Sequence, residues 1–332
     1  MKRFAVLCLA IWSLIFIIPL FTVSGKNREI PELPIPTAEA EQRAKTDSEV
    51  EVSLNYNGSV IKLPLNEYLE GVVAAEMPAL FPEEALKAQA VAARTYTMKK
   101  LAAAPATVHN GAAVCDKPSH CKAYAPLASH ASAWSGKTEE YTQKIKNAVA
   151  ETDGEILLYN NEPITAVFHS TSSGKTENAK DVWGGDVPYL VSVESKGEED
   201  SPRYKDEKSV TYDEFKTLFS KAHPNAVFDE NPENWFTSVS RSSAGGIKTI
   251  SVAGVSVKGS ELRSLLSLNS TNFTIAVRDG KITFSSRGYG HGVGMSQYGA
   301  RAMALSGKNY EEILKSYYTG VTLGKISQKK GS

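Results

Sequence analysis

The chain begins with one long hydrophobic run. No charged residue occurs from Phe4 to Val23, which is twenty residues, and Lys2 and Arg3 stand immediately before the run. That length matches the core of a bilayer, and the flanking positive charges favour a cytoplasmic N-terminus. A cleaved signal peptide is the alternative, because Val23-Ser24-Gly25 ends in small residues. Since the run is longer than a usual signal core, the pattern predicts a single-pass anchor over residues 1–23, with the remainder of the chain outside the cytoplasm.

Polar residues follow this run. Residues 24–48 contain Pro31, Pro34 and Pro36 and have no amphipathic period. This composition is typical of a flexible tether that holds a folded part away from a membrane. The pattern therefore predicts an anchor, a tether over 24–48 and one extracytoplasmic domain over 49–325.

Short strand patterns alternate with helical ones in that domain. Alternating residues on both sides of Asn57-Gly58 predict a β-hairpin over 50–63. A helix ending near Glu76 comes next, and a second helix is predicted from Phe81-Pro82 to about Leu101. Later strands are predicted at 154–159, at 163–168 and within 247–285, and later helices at 141–150, 211–221 and 296–318. Because these elements lack regular βαβ alternation, the predicted fold class is one mixed α+β domain.

The charge composition bears on which classes of partner the chain is expected to bind. The 332 residues include 37 Lys+Arg and 37 Asp+Glu, which gives a formal net charge of zero. Nucleic-acid binding depends on a positive surface that neutralises phosphates. The composition therefore gives no reason to expect a nucleic-acid partner.

Glu76 is the first candidate for chemistry. It continues an apolar stripe at helical spacing, and Pro78 ends the helix directly after it. The stripe consists of Leu65, Leu69, Val72 and Val73. A carboxylate held in a poorly solvated place has a raised pKa, as a general acid requires. An ordinary helix-end glutamate that reaches solvent or pairs with an arginine fits the same pattern.

Four potential metal ligands lie within thirteen residues. They are His109, Cys115, His120 and Cys121. Imidazole and thiolate groups could surround one tetrahedral Zn²⁺, and four protein ligands would make that site closed and structural. The spacing is not that of a standard zinc finger. A disulfide is the alternative, because Cys8 falls in the predicted anchor and leaves Cys115 and Cys121 as the two thiols outside the cytoplasm.

A hydroxyl-rich loop covers residues 169–177. Gly174-Lys175-Thr176 is similar to the end of a phosphate-binding loop, but that motif needs glycine where this chain has His169. Ser170 and the neighbouring hydroxyl groups suit the OH groups of a sugar, and they suit an ordinary turn equally well.

A glycine-rich segment covers residues 287–299. Glycines at 288, 290, 292 and 294 frame Tyr289 and His291, and glycine lets the backbone approach a ligand closely. The segment around Ser296-Gln297 does not have the G-x-S-x-G pattern of a serine hydrolase. The pattern therefore predicts a binding segment, not a nucleophile elbow.

Together these segments resemble one family, the stage II sporulation protein D family of membrane-anchored, peptidoglycan-cleaving enzymes in endospore-forming bacteria. The matching segments are residues 70–78, 84–96, 169–177, 188–190 and 288–300. The resemblance implies a lytic transglycosylase with Glu76 as the catalyst, and Arg94 and Tyr189 lining or supporting the site. It also implies a zinc ion on the His109, Cys115, His120 and Cys121 loop. The implied partners are glycan strands, an amidase/endopeptidase and a polytopic membrane protein of the engulfment machinery.

The mechanism that the resemblance implies needs one carboxylate. Glu76 would protonate the glycosidic oxygen between N-acetylmuramic acid and N-acetylglucosamine, and would then accept the proton of the 6-hydroxyl that forms a 1,6-anhydro end. Arg94 would hold or tune that carboxylate. The hypothesis adds sugar contacts from the two loops, through His169, Ser170, Lys175, Tyr289, His291 and Gln297.

Two other functions fit parts of the sequence. A non-catalytic wall-binding protein could use the same loops to localise or activate a partner amidase. A zinc hydrolase would need an open coordination position at the His/Cys loop. A wall-binding protein would keep its affinity after the loss of Glu76, whereas a transglycosylase would lose its activity. This difference separates the two main possibilities.

Overall fold

The computed structural model of the chain describes residues 45–103 and 109–326. The predicted anchor and the predicted tether up to residue 44 lie outside the described residues. Among the residues that are described, no helix is long and apolar enough to cross a bilayer. The described part is a mixture of helices and small sheets, which confirms the α+β fold class.

Helices and strands follow one another without a regular repeat. The α-helices in the described ranges are Leu65–Glu76 (α1), Glu83–Leu101 (α2), Thr138–Glu151 (α3), Ala179–Trp183 (α4), Tyr212–Ala222 (α5), Gly259–Leu266 (α6), Gln297–Leu305 (α7) and Tyr310–Tyr317 (α8). The strands are Glu51–Tyr56 (β1), Ser59–Pro64 (β2), Val114–Cys115 (β3), Glu155–Tyr159 (β4), Glu162–Pro163 (β5), Phe168–His169 (β6), Lys205–Thr211 (β7), Phe236–Arg241 (β8), Ile247–Val252 (β9), Val255–Lys258 (β10), Phe273–Arg278 (β11), Lys281–Arg287 (β12), Met295–Ser296 (β13) and Thr322–Lys325 (β14). Short 3₁₀ helices occur at Asp47–Glu49, Leu127–Trp134 and Pro232–Trp235.

The predicted hairpin is confirmed. β1 and β2 pair antiparallel from Glu51↔Pro64 to Tyr56↔Ser59, and both turn residues are left-handed, with φ of 50° at Asn57 and 85° at Gly58. Two left-handed residues match the twist of the flanking strands. β3 adds to β1 in parallel, so the hairpin also carries the start of the His/Cys loop.

The α1 helix packs its apolar stripe into the larger hydrophobic core. Leu65, Leu69, Val72 and Val73 are fully buried, as the helical spacing predicts. Gly71 on the same helix lets Tyr124 approach, because a Cβ at position 71 would lie 2.5 Å from the Tyr124 ring. This close contact holds the segment after the His/Cys loop against α1, near Glu76 at the end of that helix.

A second hydrophobic core lies in the same compact unit. It contains aromatic residues of β8, β11, β12 and α5, among them Phe215, Phe273 and Phe284. The sequence did not predict β7, because Lys205–Thr211 is rich in charged residues and lacks an apolar alternation. The prediction of one continuous strand over 163–168 is wrong. The stretch 163–168 is broken between β5 and β6, since the Thr165 amide donates to the Tyr189 hydroxyl at 3.1 Å and not to a neighbouring strand.

The two polar loops meet at a short parallel bridge. β6 pairs with β13, which places His169 beside Ser296. Further bridges join Thr171 to Tyr289 and Glu177 to Val293. Gly294 is required here, because its φ is 73° and a Cβ would collide with the Val167 carbonyl oxygen. The fold therefore sets the hydroxyl-rich loop and the glycine-rich segment side by side.

Candidate active site

A cleft of about 560 Å³ opens beside the end of α1. Its walls come from α1, from the His/Cys loop, from β6 and from the glycine-rich segment. The structure brings together in this cleft eight of the residues singled out from the sequence: Glu76, His120, Cys121, His169, Ser170, Tyr289, His291 and Gln297. Volumes of this size are typical of ligand-binding pockets.

Glu76 is the carboxylate of this cleft. Its Oε1 accepts a hydrogen bond from the backbone N–H of Ala123 at 2.7 Å. Burial raises the pKa of Glu76, while the Ala123 N–H and the positive charge of Lys122 oppose part of that rise. Among the described residues, no other carboxylate lines the cleft. Burial therefore shifts Glu76 towards the protonated form, which is the form that a proton donor needs.

Lys122 is a cleft residue that the sequence analysis missed. It is only 6% exposed, and its Nζ lies 3.7 Å from the centre of the Phe168 ring and 4.4 Å from that of Tyr96. Burial lowers the pKa of Lys122 to about 8, although the nearby Glu76 favours the charged form. The two aromatic faces stabilise an ammonium group that is almost removed from water. A buried cation therefore lies next to the candidate acid.

The two cleft histidines are neutral near pH 7. Burial lowers the pKa of His169 to about 4 and holds that of His291 well below its usual value. His169 Nδ1 lies 3.2 Å from the Val293 carbonyl oxygen, so this nitrogen carries the proton and donates it. His291 Nδ1 accepts the Val293 N–H at 3.0 Å, so its proton lies on Nε2. Both imidazoles are therefore poor proton donors near neutral pH, and the Glu76 carboxyl group and the Lys122 ammonium are the better candidates in this cleft.

The four predicted metal ligands lie together. Their ligand atoms are all within 4.8 Å of one another, and His109, Cys115 and Cys121 are buried. Both thiols are free in the structure, so the disulfide alternative is not what the fold shows. The Cys121 sulfur lies 3.3 Å from His109 Nε2, and both sulfurs lie 3.7 Å from His120 Nδ1. Ligands about 2.0–2.3 Å from a tetrahedral ion would be about 3.3–3.8 Å apart, and the sulfur–nitrogen distances lie in this range. His109 Nε2 and His120 Nδ1 are 2.7 Å apart, so these two imidazoles would have to separate slightly to bind one ion.

Arg94 does not lie at the cleft. Its Nε and Nη2 donate to the Asp47 carboxylate at 2.7 to 2.9 Å, and the remaining bonds go to Thr152 and to the carbonyl oxygens of Val149 and Glu155. Arg94 is fully buried, among the small side chains of the neighbouring alanines of α2. The interpretation that Arg94 holds Glu76 is wrong, because its donor groups are directed at Asp47 and its neighbours.

Asp47 belongs to the fold although the sequence analysis places it in the tether. Its side chain is 1% exposed, and the Lys45 amide donates to the Ile326 carbonyl oxygen at 3.0 Å. The Asp47 carboxylate also accepts the Gly154 N–H. The Arg94–Asp47 pair therefore joins the start of the described chain to α2 and to the end of α3.

Two other predicted contacts lie away from Glu76. The Tyr189 hydroxyl accepts the Thr165 N–H, and its ring packs against Tyr159, which makes it a support for the β5–β6 segment. Lys175 pairs with Glu194 at 2.9 Å and is about half exposed. Neither residue lines the 560 Å³ cleft, so the structure does not place them against a ligand bound at Glu76.

Trp183 and Arg203 also line the cleft, and the sequence analysis missed both. Trp183 ends α4, where Gly184 is left-handed with φ of 83°. The sequence did contain a pattern that indicates Trp183: it stands directly before two glycines and close to the Pro188-Tyr189 motif. Arg203 had no such signal, because only its position over the Tyr289 ring, 5.2 Å from the centroid, shows that it belongs here.

A slightly larger cavity, about 620 Å³, lies at the second core. Its charged lining residues include Lys205, Asp206, Glu207 and Arg241, and all four are exposed. The Glu76 cleft is the better candidate for catalysis because its titratable groups are buried and shifted.

The fold and the cleft define a mixed α+β protein built around one partly buried carboxylate, with a His/Cys cluster in the cleft wall. Comparison with known proteins identifies its relatives. The family profile "Stage II sporulation protein" (SpoIID) matches residues 55–159. Stage II sporulation protein D of Bacillus subtilis is 37% identical over 97% of this chain and 96% of its own length, and that of Bacillus amyloliquefaciens is 39% identical over 80% and 76%. The chain therefore belongs to the stage II sporulation protein D family.

A further relative has a different name. The "Amidase enhancer" of Bacillus subtilis is 31% identical over 77% of this chain, which corresponds to 40% of that protein. The family thus includes sporulation proteins and is related to a protein named for its effect on an amidase.

Proposed function

We propose that this chain is a lytic transglycosylase that cuts the glycan strands of peptidoglycan during sporulation. One observation carries the proposal: a single carboxylate with a raised pKa lies in an open, polar and aromatic cleft, fixed by the backbone N–H of Ala123. Membership of a sporulation family supports the cell-wall setting.

The number of carboxylates in the cleft indicates which type of glycan cleavage it can support. Ordinary glycosidases use two, about 5–5.5 Å apart or about 6.5–9.5 Å apart. Glu76 is the one carboxylate found in the cleft among the described residues. A transglycosylase works with one, because the 6-hydroxyl of the muramic acid ring serves as the nucleophile.

In the proposed reaction Glu76 acts twice. The protonated carboxyl donates its proton to the glycosidic oxygen, and the bond to the muramic acid anomeric carbon breaks. The Glu76 carboxylate then takes the proton of the 6-hydroxyl as that oxygen bonds to the anomeric carbon, which regenerates the acid. The Ala123 N–H and the Lys122 charge stabilise the carboxylate between the two transfers.

The location is part of the proposal. The uncharged run Phe4–Val23 would anchor the chain, with its N-terminus in the cytoplasm and the cleft outside. A glycan-cleaving domain acts on the wall only from that side. Partners in the same setting would be an amidase/endopeptidase and a membrane protein, and the relative named "Amidase enhancer" supports the first of these.

Zinc on the His/Cys cluster is also proposed, as a structural ion. The soft and borderline donors of His109, Cys115, His120 and Cys121 are the set that zinc prefers, and four protein ligands leave no position for a reactive water. Residues 122 and 123 follow this cluster directly in the chain. The ion would therefore fix the shape of the loop that presents the Ala123 N–H to Glu76.

The metal proposal predicts about one zinc ion per purified chain. Chelation, or the paired change Cys115→Ser with Cys121→Ser, is expected to lower the thermal unfolding temperature, because metal binding contributes folding energy. Elemental analysis and calorimetry measure the two effects. Cys8→Ser is the matched control and should change neither. A zinc-free chain with a Cys115–Cys121 disulfide in its mass spectrum would contradict the metal proposal.

Product analysis tests the enzymatic proposal. Purified glycan strands are incubated with the full chain in detergent, and the new ends are identified by mass spectrometry. Ends that carry 1,6-anhydro-N-acetylmuramic acid are expected. New reducing ends with no anhydro product would show hydrolysis instead.

Lys122→Met is expected to move the alkaline limb of the kcat profile to higher pH. Glu76 must be protonated to donate, so activity is present below its pKa and is lost as pH rises through it. The charge of Lys122 lowers that pKa, and its removal therefore raises it. Initial rates of anhydro-end formation at saturating glycan measure the limb. Lys175→Met, at an exposed pair outside the cleft, is the control. An unmoved limb in Lys122→Met would show that the two groups are not coupled.

A second candidate function is a non-catalytic activator of a wall amidase. The relative named "Amidase enhancer" favours it. An activator would stimulate the amidase equally well after Glu76→Gln and would produce no new glycan ends by itself. The product analysis above therefore separates the two candidates.

A further inference from the structure

Trp183 is a large aromatic side chain that is about half exposed to solvent. Its relative exposure is 52%, and its indole N–H makes no hydrogen bond within the described residues. The other large apolar side chains with comparable exposure are Val60, Leu80, Val227, Val239, Tyr289 and Leu305. Trp183 and Tyr289 are the aromatic members of this set, and both line the cleft that contains Glu76. By contrast, Trp235 is buried, with its indole N–H bonded to the Asp229 carbonyl oxygen at 2.8 Å.

The support beneath Trp183 is rigid. Within α4, Asp181 forms an ion pair with Lys248 at 2.9 Å, and the Ala179 amide donates to the Leu190 carbonyl oxygen. The indole contacts the His291 ring, with centroids 5.2 Å apart. His291 is itself held by the Val293 N–H. One side of the indole is therefore packed against His291 and the other is exposed to a ligand, and packing of a side chain before binding lowers the entropic cost of binding.

Tyr289 extends this surface on the glycine-rich segment. Its backbone exchanges hydrogen bonds with Thr171 in both directions, and the Arg203 guanidinium lies over its ring. Trp183, His291 and Tyr289 line the same cleft, and the Trp183 and His291 rings are in contact.

We propose that Trp183 and Tyr289 form a carbohydrate-stacking subsite that binds the face of an N-acetylhexosamine ring of the glycan next to the bond under attack. A pyranose ring has an apolar C–H face and a polar rim. An aromatic face is electron-rich and attracts such C–H groups, and the free indole N–H can donate to a hydroxyl on the rim. This inference rests on the proposed function for the choice of glycan, and it adds the residue that holds the sugar.

The chemistry of the surroundings favours a sugar over an apolar partner. Around the exposed aromatic rings, the cleft contains the Lys122 ammonium, the Arg203 guanidinium and the Ser170 hydroxyl. A mixed surface of aromatic faces and separate hydrogen-bond donors matches a ligand whose faces are apolar and whose edges carry oxygen atoms.

The test uses the full chain in detergent with Glu76→Gln, so that the ligand is not consumed. The probe is the β-1,4-linked tetramer of N-acetylglucosamine, and its affinity is measured by titration calorimetry. Trp183→Ala is expected to weaken binding by about tenfold or more, whereas Trp183→Phe, which keeps an aromatic face, should stay within about threefold. Leu305→Ala is the matched control, because Leu305 is an exposed apolar residue outside the cleft lining.

A second measurement separates stacking from a structural role. With Glu76 intact, Trp183→Ala should raise KM for glycan strands while kcat at saturation and the thermal unfolding temperature stay nearly unchanged. Equal affinity in Trp183→Ala and its parent would overturn the subsite, and so would a loss of affinity that follows a loss of thermal stability. If Trp183 controls tetramer binding in a chain that makes no anhydro ends, the subsite stands and the transglycosylase proposal falls.

Discussion

Glu76→Gln is expected to reduce the rate at which anhydro ends form by about 10²- to 10⁴-fold, which is the usual contribution of a general acid–base group. Glutamine keeps an oxygen that accepts the Ala123 N–H at the same place, so the geometry of the cleft is preserved. What it loses is the proton that the glycosidic oxygen must receive and the base that the 6-hydroxyl needs. The measurement is anhydro-end production per mole of folded chain, by mass spectrometry.

The same change should leave the fold as stable as before, or slightly more stable. Burial raises the pKa of Glu76, so the charged carboxylate costs free energy that a neutral amide does not. Glu70→Gln is the matched control, because Glu70 lies on the same helix, also has a pKa raised by burial and does not line the cleft. It should retain full activity. Anhydro ends formed by Glu76→Gln at more than a small fraction of the normal rate would remove Glu76 from the mechanism.

Asp47→Ala is expected to destabilise the fold by about 3–5 kcal/mol, because it leaves the Arg94 guanidinium buried without its counter-ion. Both side chains are almost completely buried, and three hydrogen bonds join them. Arg94→Met should cost a similar amount through the unpaired Asp47 carboxylate. Chemical unfolding monitored by circular dichroism gives both free energies.

A structural role and a catalytic role for Arg94 predict different activities per folded molecule of Arg94→Met. If Arg94 is structural, the folded fraction of Arg94→Met turns over at close to the normal rate under conditions where it is folded. A fully folded Arg94→Met without activity would restore Arg94 to the chemistry. Glu194→Ala breaks the exposed Lys175–Glu194 pair and is the control, with no measurable change in the free energy of unfolding expected.

Local signals explain what the sequence predicts correctly. Asn57-Gly58 determines its hairpin with two residues, and the α1 stripe and Pro78 determine the helix that ends at Glu76. The helical stretch predicted over 296–318 is present as α7 and α8, which Gly307 separates with φ of 88°. The His/Cys cluster was visible because its four members are close in sequence. Each of these features needs only a few neighbouring residues.

Long-range pairing explains what the sequence does not predict. Arg94 was assigned to the site through the family resemblance. No local pattern indicates its partner Asp47, which lies 47 residues away in a segment whose composition is that of a tether. Lys122 looks like a loop lysine, and only the approach of Phe168 and Tyr96 makes it a buried cation. The second core joins side chains that are far apart in sequence, such as Phe215 and Phe284, and no local pattern shows that they meet. Tertiary contacts decide all three cases.

The hydrogen bond at Glu76 comes from a main-chain amide, and this determines where substitutions can damage the site. Any residue at position 123 except proline supplies the same N–H, so the identity of that side chain does not govern the contact. The path of the backbone through residues 121–125 governs it instead, and that path depends on the Cys121 neighbourhood and on the contact of Tyr124 with Gly71. Gly71, which touches neither substrate nor acid, is therefore a position at which adding a single methyl group would displace the donor from the carboxylate.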